Sequence, residues 1–210
     1  MRAFLSSLWL ALAIAAGCSV VWSARSALGQ AFYFQTRYSH SPKVGLSPER
    51  PVGELARRRL DLAEQSFRLN PVNFRVCRIA TDVAFETCRD IDVKKHDVTL
   101  DELRMWCDRG LKLNKYNRHL RYLEAEMIAV ESPSKALELW TDYVAWDFWD
   151  PFNHYYVVEL LARSGRYADA FKEMDFLKGK KYHEDGKRII RDSWVAEKRR
   201  AKAYIRELDR

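Results

Sequence analysis

The sequence has no glycine-rich phosphate loop, no CxxC motif and no cysteine–histidine cluster at metal-ligand spacing, which removes the common nucleotide and structural zinc sites. Its five histidines, His40, His96, His119, His154 and His183, are scattered, and none stands beside a nucleophile in a recognisable arrangement. Strand signals are nearly absent after Glu54, because apolar residues recur there at helical rather than alternating spacing. No stretch commits the chain to a reaction, so it reads as a non-enzyme without a cofactor or metal. Net charge is +7, but Lys and Arg alternate with Asp and Glu along most of the body, which is mild for nucleic acid and argues against that partner.

Charge is also missing from one long run. From Ala3 to Trp22, "AFLSSLWLALAIAAGCSVVW", there is no charged residue. About twenty residues at roughly 1.5 Å each span some 30 Å, the thickness of a bilayer core. Residues 1–24 are therefore expected to form a transmembrane anchor or signal. Length favours an uncleaved single-pass anchor, since a secretory apolar region is shorter. Two alternatives stand beside it: cleavage after small residues at Gly29–Ala31, or lipidation of Cys18, because "IAAGC" resembles a bacterial lipobox. In each, the body is expected on the extracytoplasmic side. Residues 25–53 are expected as an extended linker, since Pro42, Gly45, Pro48, Pro51 and Gly53 punctuate its second half.

With 48% hydrophobic residues and seven tryptophans, the remainder can bury a core. Three related segments recur in it: "LNPVN" at 69–73, "LNKYN" at 113–117 and "WDPFN" at 149–153. Asn70, Asn114 and Asp150 suit a helix exit, Pro71 and Pro151 stop continuation, and Asn73, Asn117 and Asn153 suit the N-cap of the next helix. Between the junctions, Tyr116, Leu120, Leu123 and Met127 form one stripe, as do Tyr155 or Tyr156, Val158 and Leu161. Each interval is expected to hold two helices. In "ARSGRYADAFKEM", residues 162–174, Gly165 frees the backbone at a turn, Tyr167 covers it and Ala170 admits a close helix approach.

Gly165, Tyr167 and Ala170, followed by Met174, resemble the turn of the tetratricopeptide repeat (TPR) family, here in a membrane-anchored, bacterial-type chain. Ser66 and Gly110 stand in the small position of earlier second helices. The resemblance covers residues 54–178 and implies an all-α fold: a TPR-like array of antiparallel helix hairpins, its first unit without a leading helix of its own. A capping helix over 179–210 is read from the apolar side of that tail. The resemblance further implies a protein partner held by the leading helices, with Arg75, Arg78, Arg121, Tyr155 and Glu159 as contacts. The expected function is a membrane-tethered, non-catalytic interaction scaffold or assembly factor.

Other features are weighed against plain packing. "WTDYVAWDFWDP", 140–151, concentrates aromatics and carboxylates, which suits a sugar-stacking patch including Trp149, and so a cell-envelope carbohydrate role; helical spacing instead places Trp140, Tyr143 and Trp146 in the core. Cys77 and Cys107 suit a disulfide between antiparallel helices in an oxidising compartment, although burial as small apolar residues is favoured. "DID" at Asp90–Asp92 resembles the metal-binding DxD of glycosyltransferases but lacks a surrounding strand pattern and is read as chance.

Overall fold

The computed structural model describes residues 2–38, 52–89 and 98–208. The punctuated run at 39–51, Asp90–Asp92, His40 and His96 lie outside the described residues. The chain divides into two compact units, Met1–Leu120 and Arg121–Arg210. Every regular element among the described residues is helical, and within each unit most helices that follow one another in the chain pack together, the all-α arrangement expected of a TPR-like chain.

In the first unit, α1 (Arg2–Tyr38) pairs with α2 (Val52–Leu69), which is followed by α3 (Phe74–Arg89) and α4 (Leu100–Leu113). The linker expectation fails over residues 25–38, which are helix. Antiparallel contacts to α2 hold this segment: Arg25 Nε and Nη2 donate to the Leu69 and Arg68 carbonyls at 3.0 and 2.6 Å. Ser66 Oγ donates to the Gly29 carbonyl at 2.7 Å, and Arg59 Nε to that of Thr36 at 3.0 Å. Gly29 permits this approach, because a Cβ there would meet Asn70 Cβ at 3.2 Å and Leu69 Cβ at 3.3 Å. Helix α1 thus leads the first hairpin, correcting the expectation that this unit lacks a leading helix. Residues 11–25 are exposed, while Gly29, Tyr33 and Thr36 are buried. Ala11–Tyr38 is long and apolar enough to cross a membrane by length and composition, with mean hydropathy 1.4. Packing against α2, however, claims its second half.

The α2, α3 and α4 helices share a core of Leu60, Ala63, Val76, Ala80, Leu103 and Trp106. Arg57 grips both Glu102 oxygens at 2.8 Å, and Arg109 meets Glu64 at 2.6 Å while lying over the Trp106 ring. The Cys77–Cys107 bridge is not formed: both are buried free thiols. The Cys107 thiol donates to the Leu120 carbonyl at 3.4 Å, and Cys77 packs beside Gly110. Burial pushes the Cys77 thiol up to about 12, so it behaves as a small apolar group.

The second unit contains most of α5 (Arg118–Glu131), then α6 (Pro133–Trp146), α7 (Pro151–Arg163), the short α8 (Tyr167–Glu173), a 3-10 turn at Met174–Leu177 and α9 (His183–Leu208). Helix α7 is central, contacting α6, α8 and α9. Gly165 has φ of 73°, the left-handed conformation its turn requires, and Ala170 is buried. The second helix of this hairpin is short, tightening to a 3-10 turn where bulky Met174 and Leu177 enter the core.

The junction chemistry holds at two of three sites. Asn73 and Asn117 accept from the Arg75 and Leu120 amides at 3.2 and 3.0 Å. In the third, Asp150 is the N-cap, accepting from the Phe152 amide at 2.9 Å, because Pro151 takes the first helical position; Asn153 is already inside α7 and donates to the Asp147 carbonyl at 2.6 Å. Tyr116 likewise precedes α5 and is exposed, so the buried stripe starts at Leu120.

Candidate functional site

Two leading helices of the second unit carry the same element, Tyr-x-x-x-Glu: Tyr122 and Glu126 on α5, Tyr155 and Glu159 on α7. Four residues is just over one helical turn, so each tyrosine and glutamate share a face. The rings connect. Tyr122 meets Phe152 edge-on at 5.6 Å, Phe152 meets Tyr155 at 6.1 Å, and Tyr155 stacks on Tyr182 at 5.1 Å. All four are half-buried, leaving part of each ring at the surface.

A charged cluster continues the strip. Glu126 Oε1 accepts from the Tyr156 hydroxyl at 2.5 Å and from Arg163 at 3.1 Å, while Glu159 lies 3.6 Å from the same guanidinium. Two carboxylates therefore share one arginine. Burial, and next the Glu126 charge, push the Glu159 carboxyl above its ordinary range, against the pull of Arg163. Burial and the hydrogen bond to Glu126 likewise raise the Tyr156 phenol.

This has a sign that can be measured. A carboxyl raised on folding is held protonated more tightly by the folded state, so stability is lost as pH rises through its folded pKa. Glu159→Gln is expected to raise the melting temperature at neutral pH and to leave it nearly unchanged well below the carboxylate range, read by thermal unfolding at both. A residue that costs stability at neutral pH on a surface strip marks a candidate functional position.

The sequence-derived contacts fall in different places. Tyr155 and Glu159 are on this strip, whereas Arg121 beside it is engaged by Glu124 at 2.8 Å. Arg75 and Arg78 are exposed on α3 in the first unit. Trp149 is 84% exposed in the α6–α7 turn. The 140–151 aromatics are divided: Trp140 and Tyr143 are core, but Trp146 is 55% exposed, correcting its core assignment. Cys18 is exposed on α1. Tyr122, Glu126 and Arg163 were missed, although the Tyr-x-x-x-Glu element recurring one repeat length apart would have found the first two.

On the other side of α7, α6 and α8 enclose an open groove of about 520 Å³, floored by Leu137, Val144, Val157 and Leu161. His154 is buried at its end, with Nδ1 against Glu173 at 2.6 Å and Nε2 against the Phe148 carbonyl at 2.7 Å, tying the α6–α7 turn to α8. Both ring nitrogens are engaged in holding structure. Among the described residues no group of three or more histidine, cysteine, aspartate or glutamate side chains is placed to hold a metal.

Neither a protein-family model nor a curated protein sequence matches the chain. Among solved structures it is similar to the crystal structure of YrrB, described as a TPR protein with an unusual peptide-binding site. The two are 16% identical, the match covers 71% of this chain and 73% of that one, and the TM-score is 0.49.

Proposed function

We propose that the protein is a membrane-tethered, non-catalytic interaction scaffold that holds a segment of a protein partner against α5 and α7 of its second unit, with its body extracytoplasmic. The continuous Tyr122–Phe152–Tyr155–Tyr182 strip beside the Glu126–Arg163–Glu159 cluster carries this reading. Half-exposed rings offer apolar area and faces for cations, and two carboxylates around one guanidinium leave a net negative charge. The segment that fits is extended or helical, with apolar side chains and at least one Lys or Arg. The apolar first half of α1 supplies the tether.

A second reading, glycan binding at the cell envelope, has the exposed Trp146 and Trp149 in its favour. One experiment separates the two: purification of the full chain from membranes with a photo-reactive residue at position 155, alongside glycan-array binding. The scaffold reading expects a cross-linked protein segment whose recovery falls about tenfold with Glu126→Gln, as for loss of a central interface contact, and is unchanged by Trp149→Ala. Recovery of background proteins alone, or glycan binding abolished by Trp149→Ala, would overturn it.

A further inference from the structure

The end of the first unit from which α1 projects is chemically distinct from the rest. Contacts pairing Arg25 with Leu69 and Gly29 with Ser66 put the exposed residues 11–24 beyond the C-terminal end of α2. Helices α2 and α4 run parallel, since Arg57 meets Glu102 and Glu64 meets Arg109 at the same offset. The turn after α2 (70–73) and the turn after α4 (114–117) therefore lie at that same end.

No acidic residue occurs between Glu64 and Asp82, or between Asp108 and the end of the unit at Leu120. Those stretches hold Arg68, Arg75 and Arg78, and Arg109, Lys112, Lys115 and Arg118; nor is there an acid anywhere in α1. The nearest carboxylates, Glu64 and Asp108, are more than a turn inside their helices, and Glu64 is already bridged to Arg68 and Arg109. Hydrogen bonds from these two arginines outweigh its burial and hold it below the ordinary carboxylate range. Apolar side chains protrude among the bases: Val72 is 67% exposed, and Leu113 and Tyr116 are also on the surface. Asp82, midway along α3, is paired with His119 of α5, and further carboxylates appear towards the opposite end at Glu86, Asp101 and Glu102.

We infer that this basic end of the first unit, built from the α2–α3 and α4–α5 turns, rests on a bilayer surface and binds anionic phospholipid headgroups. The inference depends on α1 crossing the membrane, because the span then leaves the bilayer at this end. Lys and Arg are drawn to the anionic surface, while Val72 and Tyr116 enter the headgroup layer. Acidic side chains, which that surface would repel, are absent from the two turns. The span and the headgroup contacts together fix the tilt of the unit on the membrane.

The test is hydrogen exchange of the full chain in nanodiscs of neutral phosphatidylcholine, and in nanodiscs containing about 30% phosphatidylglycerol. Amides in 70–75 and 114–118 are expected to exchange about fivefold or more slowly with the anionic lipid, while those in 83–89 do not change. Salt at about 0.5 M should erase the difference. The double variant Lys112→Glu/Lys115→Glu should lose the protection while remaining membrane-inserted. Equal exchange in both lipids overturns the inference and leaves the face to an acidic protein. Flotation with neutral vesicles after alkaline extraction reports separately on the span: a chain that floats but shows no lipid dependence refutes only the headgroup contact, and one that does not float refutes the tether on which it depends.

Discussion

Replacing Trp140 by alanine is expected to destabilise the second unit by about 3–5 kcal/mol, the usual range for emptying a large core aromatic site. Trp140 is fully buried between Tyr143 and Tyr156, whose ring centroids lie 5.0 and 4.8 Å away, and its Nε1 donates to the Asn153 carbonyl at 3.1 Å. That bond ties α6 to the first turn of α7, the helix on which the rest of the unit packs. Losing the ring leaves a cavity against Tyr156, whose hydroxyl anchors Glu126, so the cluster of Glu126, Arg163 and Glu159 should loosen along with the core. Urea unfolding should show an earlier transition. Trp140→Phe should recover most of the loss, missing the indole hydrogen bond at a cost of about 1 kcal/mol. An alanine variant as stable as the parent would contradict the packing described for this unit.

A chain shortened to begin at Phe32, as cleavage after Ala31 would leave it, is expected to lose the first hairpin. It lacks Arg25, which satisfies two carbonyls at the C-terminal end of α2, and Gly29, whose carbonyl accepts from the buried Ser66 hydroxyl. Three hydrogen bonds, two of them charge-assisted, and a helix-packing face disappear together, a loss on the order of 3–5 kcal/mol. A chain beginning at Cys18 keeps all of these contacts. The two products should differ plainly in urea midpoint and in protease sensitivity within 52–69. Equal stability would mean that residues 25–31 contribute nothing to the fold.

Helix positions in the body were legible because the junction residues have strong local roles. Asparagine as a cap and proline at a first helical position act through the backbone, whatever surrounds them. The failure at Asn153 came from treating three related junctions as identical, when Asp150 with Pro151 makes the stronger start. Residues 25–38 misled for a different reason. The charge-free run ends at Trp22, and the contacts that hold 25–38 as helix come from α2, about forty residues away in sequence. Gly29 is there so that two helices can touch. Trp146 shows the limit of periodicity: one turn beyond Tyr143 it keeps the spacing, but it is the last residue of α6 and the packing has ended. On the strip, Tyr155 and Glu159 were legible from their helix. Arg163 and Tyr156 became partners of Glu126 only through contact between α5 and α7.

The central claim is that the apolar N-terminal segment and the first helix of the repeat body are one continuous rod. Hydrogen exchange of the unmodified full chain in nanodiscs tests it most directly. Amides in 26–38 are expected to be protected as strongly as those of α2 and to lose that protection together with α2 as urea is added, because the two segments pack on each other through Arg25, Gly29, Ser66 and Arg59. Exchange of 26–38 at the rate of an unstructured chain while α2 stays protected would mean that residues 25–38 lie apart from α2.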